Sequence, residues 1–159
     1  MKTLIVYYSL EGNTRLVAQR LAEATGAELL ELKPAKAYPT GRISKFYFGG
    51  KSAVMCEKPV LEPYSADVSQ YGTVILGTPV WAGRCTPPLR SFLGAESLLG
   101  KRVAFFACAG GDSAGKTFEL LEELSGCKPV RTELFVSPSS GKDAMFDEKL
   151  ERLVSAVQS

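Results

Sequence analysis

Five short runs rich in Val, Ile, Leu and Phe recur along the chain, at Thr3–Tyr8, Glu28–Leu32, Thr73–Gly77, Val103–Ala107 and Thr132–Val136. They are too continuous to be half-exposed strands, in which apolar and polar residues would alternate. Helical patterns separate them. After the first run, Val17, Leu21 and Ala24 fall on one face. Thr86 followed by Pro87 reads as an N-cap and a first helical position, with Leu89, Phe92 and Leu93 as the apolar face. Ser113 to Leu124 carries Phe118, Leu121 and Leu124 at helical spacing, and Gly126 follows as a stop. Phe146, Leu150, Leu153, Val154 and Val157 form the most regular stripe, which predicts a terminal helix over Lys142 to Gln158. Strands alternating with helices imply an α/β fold, a parallel sheet covered on both faces with right-handed crossovers. The 159 residues suffice for one domain with a real core, and no repeat or second domain is visible.

The stretch from Pro34 to Pro63 is too long for a plain loop inside a compact domain. The crossover between the second and third strands also needs a helix, placed irregularly around Gly41–Met55 and broken or ended at Gly49-Gly50. Charge gathers there too. Lys33, Lys36, Arg42, Lys45, Lys51 and Lys58 face Glu57 alone, a local +5, so the overall +2 leaves −3 for the rest of the chain. Nucleic-acid binding would call for a larger basic face with stacking aromatics.

Several chemistries are excluded by composition. The chain has no histidine, so imidazole catalysis is ruled out and zinc and haem sites lose their commonest nitrogen ligand. Cys56, Cys85, Cys108 and Cys127 are widely spaced, form no C-x-x-C and are expected to be mostly buried thiols. No apolar run approaches the ~20 residues of a membrane span, and the N-terminus enters a strand without the features of a signal peptide. A cytoplasmic protein is expected.

In an open parallel sheet, ligands sit beyond the carboxyl ends of the strands, where strand order reverses. Three loops at such ends stand out. Ser9–Thr14 combines Ser9, Gly12, Thr14 and the chain's only asparagine, Asn13, before a helix. A helix start offers unpaired N–H groups and a positive dipole end, so this is a phosphate cradle made of neutral donors. By themselves these residues also suit a plain helix cap, the commoner use of Ser, Asn and Thr at that place. No lysine follows, which excludes a Walker loop, and the G-x-G-x-x-G of dinucleotide folds is missing. Gly77 to Pro88 places the sole tryptophan, Trp81, among Thr78, Gly83 and Arg84. Beside a phosphate cradle, that ring is best explained as a wall for a flat aromatic ligand. Ala107 to Gly115 is built of small residues whose backbone amides can reach a ligand edge.

These three loops, in this order at these strand ends, resemble those of the flavodoxin family, and the match runs through nearly the whole chain in element order and length. The resemblance implies a three-layer doubly wound sheet of five parallel strands in the order 2-1-3-4-5. It implies FMN as cofactor, with Ser9, Glu11, Gly12, Asn13 and Thr14 at the 5′-phosphate. Thr78, Pro79, Val80, Trp81, Ala82 and Gly83 would lie at the isoalloxazine, on which Trp81 stacks. Ala109, Gly110, Gly111 and Asp112 would bond its pyrimidine edge.

Three residue patterns depart from that family. Glu11 stands where a hydroxyl residue is common; its carboxylate would repel a phosphate, so only its backbone is expected to face the ligand. The Cys108–Asp112 loop lacks the tyrosine that covers the second flavin face in many electron carriers, and the basic Lys33–Lys58 stretch replaces their acidic surface. The leading expectation is an FMN-binding electron carrier serving a redox partner protein or a small electron acceptor, with no protein acid or base required. The alternative is an FMN-dependent NAD(P)H:quinone or nitro-compound reductase, favoured by the uncovered flavin face. A response-regulator domain of the same architecture would need clustered aspartates where Tyr8, Ser9 and Thr78 stand.

Overall fold

The computed structural model describes residues 2–38 and 58–159. The helix expected over Gly41–Met55, Cys56 and most of the basic stretch lie outside the described residues. The elements run β1 (Lys2–Tyr7), α1 (Asn13–Thr25), β2 (Glu28–Glu31), β3 (Tyr71–Pro79), α2 (Pro87–Ala95), β4 (Arg102–Ala109), α3 (Thr117–Ser125), β5 (Thr132–Val136) and α4 (Phe146–Gln158). The five strands pair in parallel, in the order β2-β1-β3-β4-β5.

Side chains leave a strand on alternate faces, and both faces of the central strands β1, β3 and β4 are buried here. Leu4, Val6 and Tyr8 of the β1 segment join Val74 and Leu76 of β3 and Phe105 of β4 in one core layer, closed by Leu89 and Phe92 of α2 and Leu121 of α3. Ile5 and Tyr7 join Ile75, Ala104, Phe106 and Phe135 in the other, closed by Val17, Ala18 and Leu21 of α1 and Leu153 and Val157 of α4. That double burial explains why the strands read as unbroken apolar runs. Gly77 and Phe106 are register partners, and a Cβ on Gly77 would stand 2.2 Å from the Phe106 ring, so the ring lies flat on the glycine.

The structure corrects three helical details. Ala24 is exposed, and the buried face of α1 is Thr14, Val17, Ala18 and Leu21. α3 begins at Thr117 rather than Ser113, because the Ser113 hydroxyl accepts the Gly115 N–H and Gly115 takes φ +55°, which turns the backbone before the helix. α4 begins at Phe146 rather than Lys142. There Asp143 accepts the N–H of Met145 and, from the end of β5, the N–H of Val136, an arrangement that makes a turn of the preceding residues. Among the described residues no helix is long and apolar enough to cross a membrane.

Beyond β2 the chain folds back on itself. Ala35 N–H donates to Val60 at 2.8 Å and Glu62 N–H to Lys33 at 2.7 Å, an antiparallel bridge that joins the two ends of the long connection.

Candidate functional site

From β1 the chain moves outward to β2 and returns to β3 on the other side of β1, so strand order reverses between the carboxyl ends of β1 and β3. A cleft of about 450 Å³ opens there. That volume falls in the range of ~300–1,000 Å³ that takes a small organic ligand. Its lining comes from four loops, those after β1, β3, β4 and β5.

The loop after β1 forms one end. Gly12 is the N-cap of α1 with φ +102°, a conformation that suits glycine, and a Cβ there would meet nothing within 4 Å. The Ser9 hydroxyl accepts the N–H groups of Gly12 at 3.1 Å and Arg15 at 3.2 Å, which leaves its own proton available to donate. The N–H groups of Asn13 and Thr14 find no acceptor among the described residues. Most telling is the Thr14 hydroxyl. It is fully buried beside the cleft, and among the described residues its side-chain contact is the Cys108 thiol, a weak partner, so its capacity for a strong hydrogen bond is left for a ligand. The guanidinium of Arg15, in the same first turn, is already held by Glu31 through two 2.7 Å contacts. The cradle therefore offers an anion neutral donors at a helix N-terminus, which fits a phosphate ester.

The loop after β3 forms the wall. Trp81 and Arg84 exchange both backbone hydrogen bonds, each 3.0 Å, around Ala82 with φ +52° and Gly83 with φ +70°. Two positive-φ residues between paired flanks make a type I′ turn. Trp81 is braced edge-on by Tyr8 and Tyr38, with ring centroids 5.7 and 5.1 Å away and both interplanar angles 86°. At the base of the loop the Thr78 hydroxyl accepts the Thr86 N–H at 3.0 Å and lies 2.9 Å from the Thr86 hydroxyl. Thr78 is fully buried in this role and does not line the cleft.

Next to the wall, at the end of the neighbouring strand β4, Cys108, Ala109 and Gly110 present backbone and small side chains. Val80 N–H donates to Cys108 at 2.9 Å and joins the two loops. Burial pushes the Cys108 thiol up to about 12, so it is a neutral lining group and not a nucleophile. Burial likewise raises Tyr7 to about 12, helped by the Glu31 carboxylate, and raises Tyr8 further.

Of the residues expected at a cofactor, the structure brings Ser9, Glu11, Asn13, Thr14, Pro79, Val80, Trp81, Ala82, Ala109 and Gly110 to the cleft. Gly12 and Gly83 shape its loops from behind, while Gly111 and Asp112 are exposed outside its lining. Leu10, Cys108 and Ser137 also line it, beyond the residues expected at the cofactor. Ser137 holds φ +41°, rare for a residue with a side chain, and its N–H bonds Ala109 at 2.9 Å. An outlier of that kind at a strand end has no signature in local sequence.

The family model described as Flavodoxin matches residues 2–143. Among solved structures, a protein of Bacteroides uniformis is 24% identical, with a TM-score of 0.79 over 97% of each chain. A flavoprotein of Lactobacillus acidophilus in complex with FMN is 21% identical, covering 93% of this chain and 97% of that one, with a TM-score of 0.73. Oxidised flavodoxin 2 of Bacillus cereus is 20% identical over 99% of this chain and 98% of that one, with a TM-score of 0.61. At these identities the structural likeness speaks for the fold.

Proposed function

Because the chain belongs to the flavodoxin family, we propose that its cleft binds FMN non-covalently and that the protein carries electrons to a partner protein or a small acceptor. When bound, the flavin supplies the electron and hydride chemistry. The chain holds the phosphate, orients the ring and keeps water from one face. The observation that carries the reading is the Thr14 hydroxyl, buried at the head of α1 with the weakly bonding Cys108 thiol beside it, in a cleft walled by Trp81. The donors expected at the phosphate are Thr14, Ser9 and the N–H groups at the start of α1. Trp81 would lie against the ring. The backbone of Ala109 and Gly110 would reach its polar edge.

A second reading has its own support. Among the described residues Trp81 is the one aromatic in the cleft lining, and Gly110 and Gly111 leave open space where a side chain would project. A small hydride donor or quinone could therefore reach the ring from the β4 side, as an FMN-dependent reductase requires. The test of both is reconstitution of cofactor-free protein with FMN, followed by an NAD(P)H oxidation assay with a quinone acceptor. Tight FMN binding without turnover is the carrier; binding with steady turnover is the reductase; absence of binding overturns both.

A further inference from the structure

We propose that Gly115, which is outside the cleft lining, positions the Trp81–Ala82 wall. The Trp81–Arg84 turn leans outward on the loop before α3. There the Lys116 N–H donates to the Gly83 carbonyl at 2.7 Å. Gly115, immediately before it, packs directly on the same residue. A Cβ at Gly115 would stand 2.7 Å from Gly83 Cα, 2.8 Å from Gly83 O and 3.1 Å from Gly83 C. All three atoms are backbone, so no side-chain rotation relieves the collision, and the turn or the loop must move as a body.

The direction of that movement gives Gly115 a role beyond packing. Trp81 and Ala82 precede Gly83 in a four-residue turn, and both line the cleft. Displacing Gly83 therefore displaces the surface that meets a flat ring. The cradle at α1 belongs to a different loop, after β1, and is anchored through Ser9 within itself and through Asn13 to Ser139. A change at position 115 should be felt by the ring half of a ligand and not by its phosphate. The assignment rests on the FMN reading for its ligand, but the mechanical link from Gly115 to Trp81 does not.

The experiment compares Gly115→Ala with Gly26→Ala. Gly26 also has positive φ, +73°, but a Cβ there meets nothing within 4 Å, so that variant carries the backbone strain without the collision. Both should melt at lower temperature than wild type. Only Gly115→Ala should shift the emission of Trp81 in cofactor-free protein. It should also weaken FMN and riboflavin by the same factor, roughly tenfold, because the ring loses its wall while the phosphate keeps its donors. Should Gly115→Ala fail to fold, Gly115→Asn keeps the collision with a residue that tolerates positive φ better. Wild-type protein that binds neither flavin overturns the FMN reading and leaves the emission shift as the measure of the link. Unchanged Trp81 emission with wild-type flavin affinities overturns the role of Gly115, and so does a loss confined to FMN.

Discussion

Asn13 Oδ1 accepts two hydrogen bonds from Ser139, from the backbone N–H at 2.9 Å and from the hydroxyl at 2.6 Å, and so ties the head of α1 to the turn after β5. The amide acts as a strut, whereas the adjacent Thr14 hydroxyl has the weakly bonding Cys108 thiol beside it. Mutation should separate the two. Asn13→Ala should cost the cofactor-free protein about 1 kcal/mol of stability through the lost bonds. Thr14→Val removes a buried hydroxyl whose neighbour is only a thiol, a weak partner, so its apo-protein should be about as stable as wild type. FMN affinity in that variant should fall by ~1.5–3 kcal/mol while riboflavin is spared. Melts of apo-protein with titrations of both flavins decide it; equal losses for the two ligands would remove Thr14 from the phosphate site.

Thr78→Val tests a residue that the resemblance placed at the ligand and the structure places outside the cleft lining. The substitution leaves the Thr86 N–H and hydroxyl without their buried partner. Leaving such groups unpaired costs about 1–3 kcal/mol, and at this chain length each kcal/mol lowers Tm by roughly 2–4 °C. Calorimetry should show that drop with the FMN-to-riboflavin affinity ratio unchanged. A changed ratio would bring Thr78 back to the phosphate.

Trp81 is the only tryptophan, so its fluorescence reports on the wall alone. Adding FMN to apo-protein should quench most of it and saturate at one equivalent. Trp81→Phe should keep binding but weaken it by about 0.5–1.5 kcal/mol, the worth of an aromatic pair. Emission that stays constant while FMN binds would put the ring elsewhere.

Alkaline pH should probe Cys108. Its folded pKa of about 12 lies above the ordinary thiol value of ~8.5. The folded state thus holds the proton more tightly, and the resulting stability is complete below about pH 8.5 and declines as pH rises toward 12. Tyr7, also raised to about 12, starts from ~10 when unfolded and enters only above that pH. Between pH 8.5 and 10, urea melts of wild type should therefore lose stability faster than those of Cys108→Ala. Parallel slopes would mean that the thiol titrates normally.

The sequence reveals the sheet because burial on both faces leaves the central strands β1, β3 and β4 almost wholly apolar, and the edge strand β5 still lies at Thr132–Val136 as expected although burial alternates along it. The starts of α3 and α4 are less legible. Ser113 and Asp143 read as first-turn residues, but their side chains bond backbone groups nearby and hold the chain in turns instead. In the cleft, Ser9–Thr14 and Trp81 are legible because their chemistry lies within a few consecutive residues. Ser137 reaches it only because β5 pairs with β4, a tertiary fact. Thr78 shows the opposite limit: a hydroxyl at a strand end looks like a ligand donor until the fold turns it toward Thr86.

The Phe106 ring lying flat on Gly77 constrains how this chain can drift among relatives that share only a fifth to a quarter of their residues with it. The space that a side chain at position 77 would fill is taken by a side chain from the neighbouring strand. Enlarging one demands shrinking the other, so single substitutions at either place pass through an overpacked or hollow intermediate. Across the family these two positions should therefore change in step, a small residue facing an aromatic one or the reverse. Such a pair would be visible as covariation in an alignment even where neither position is conserved.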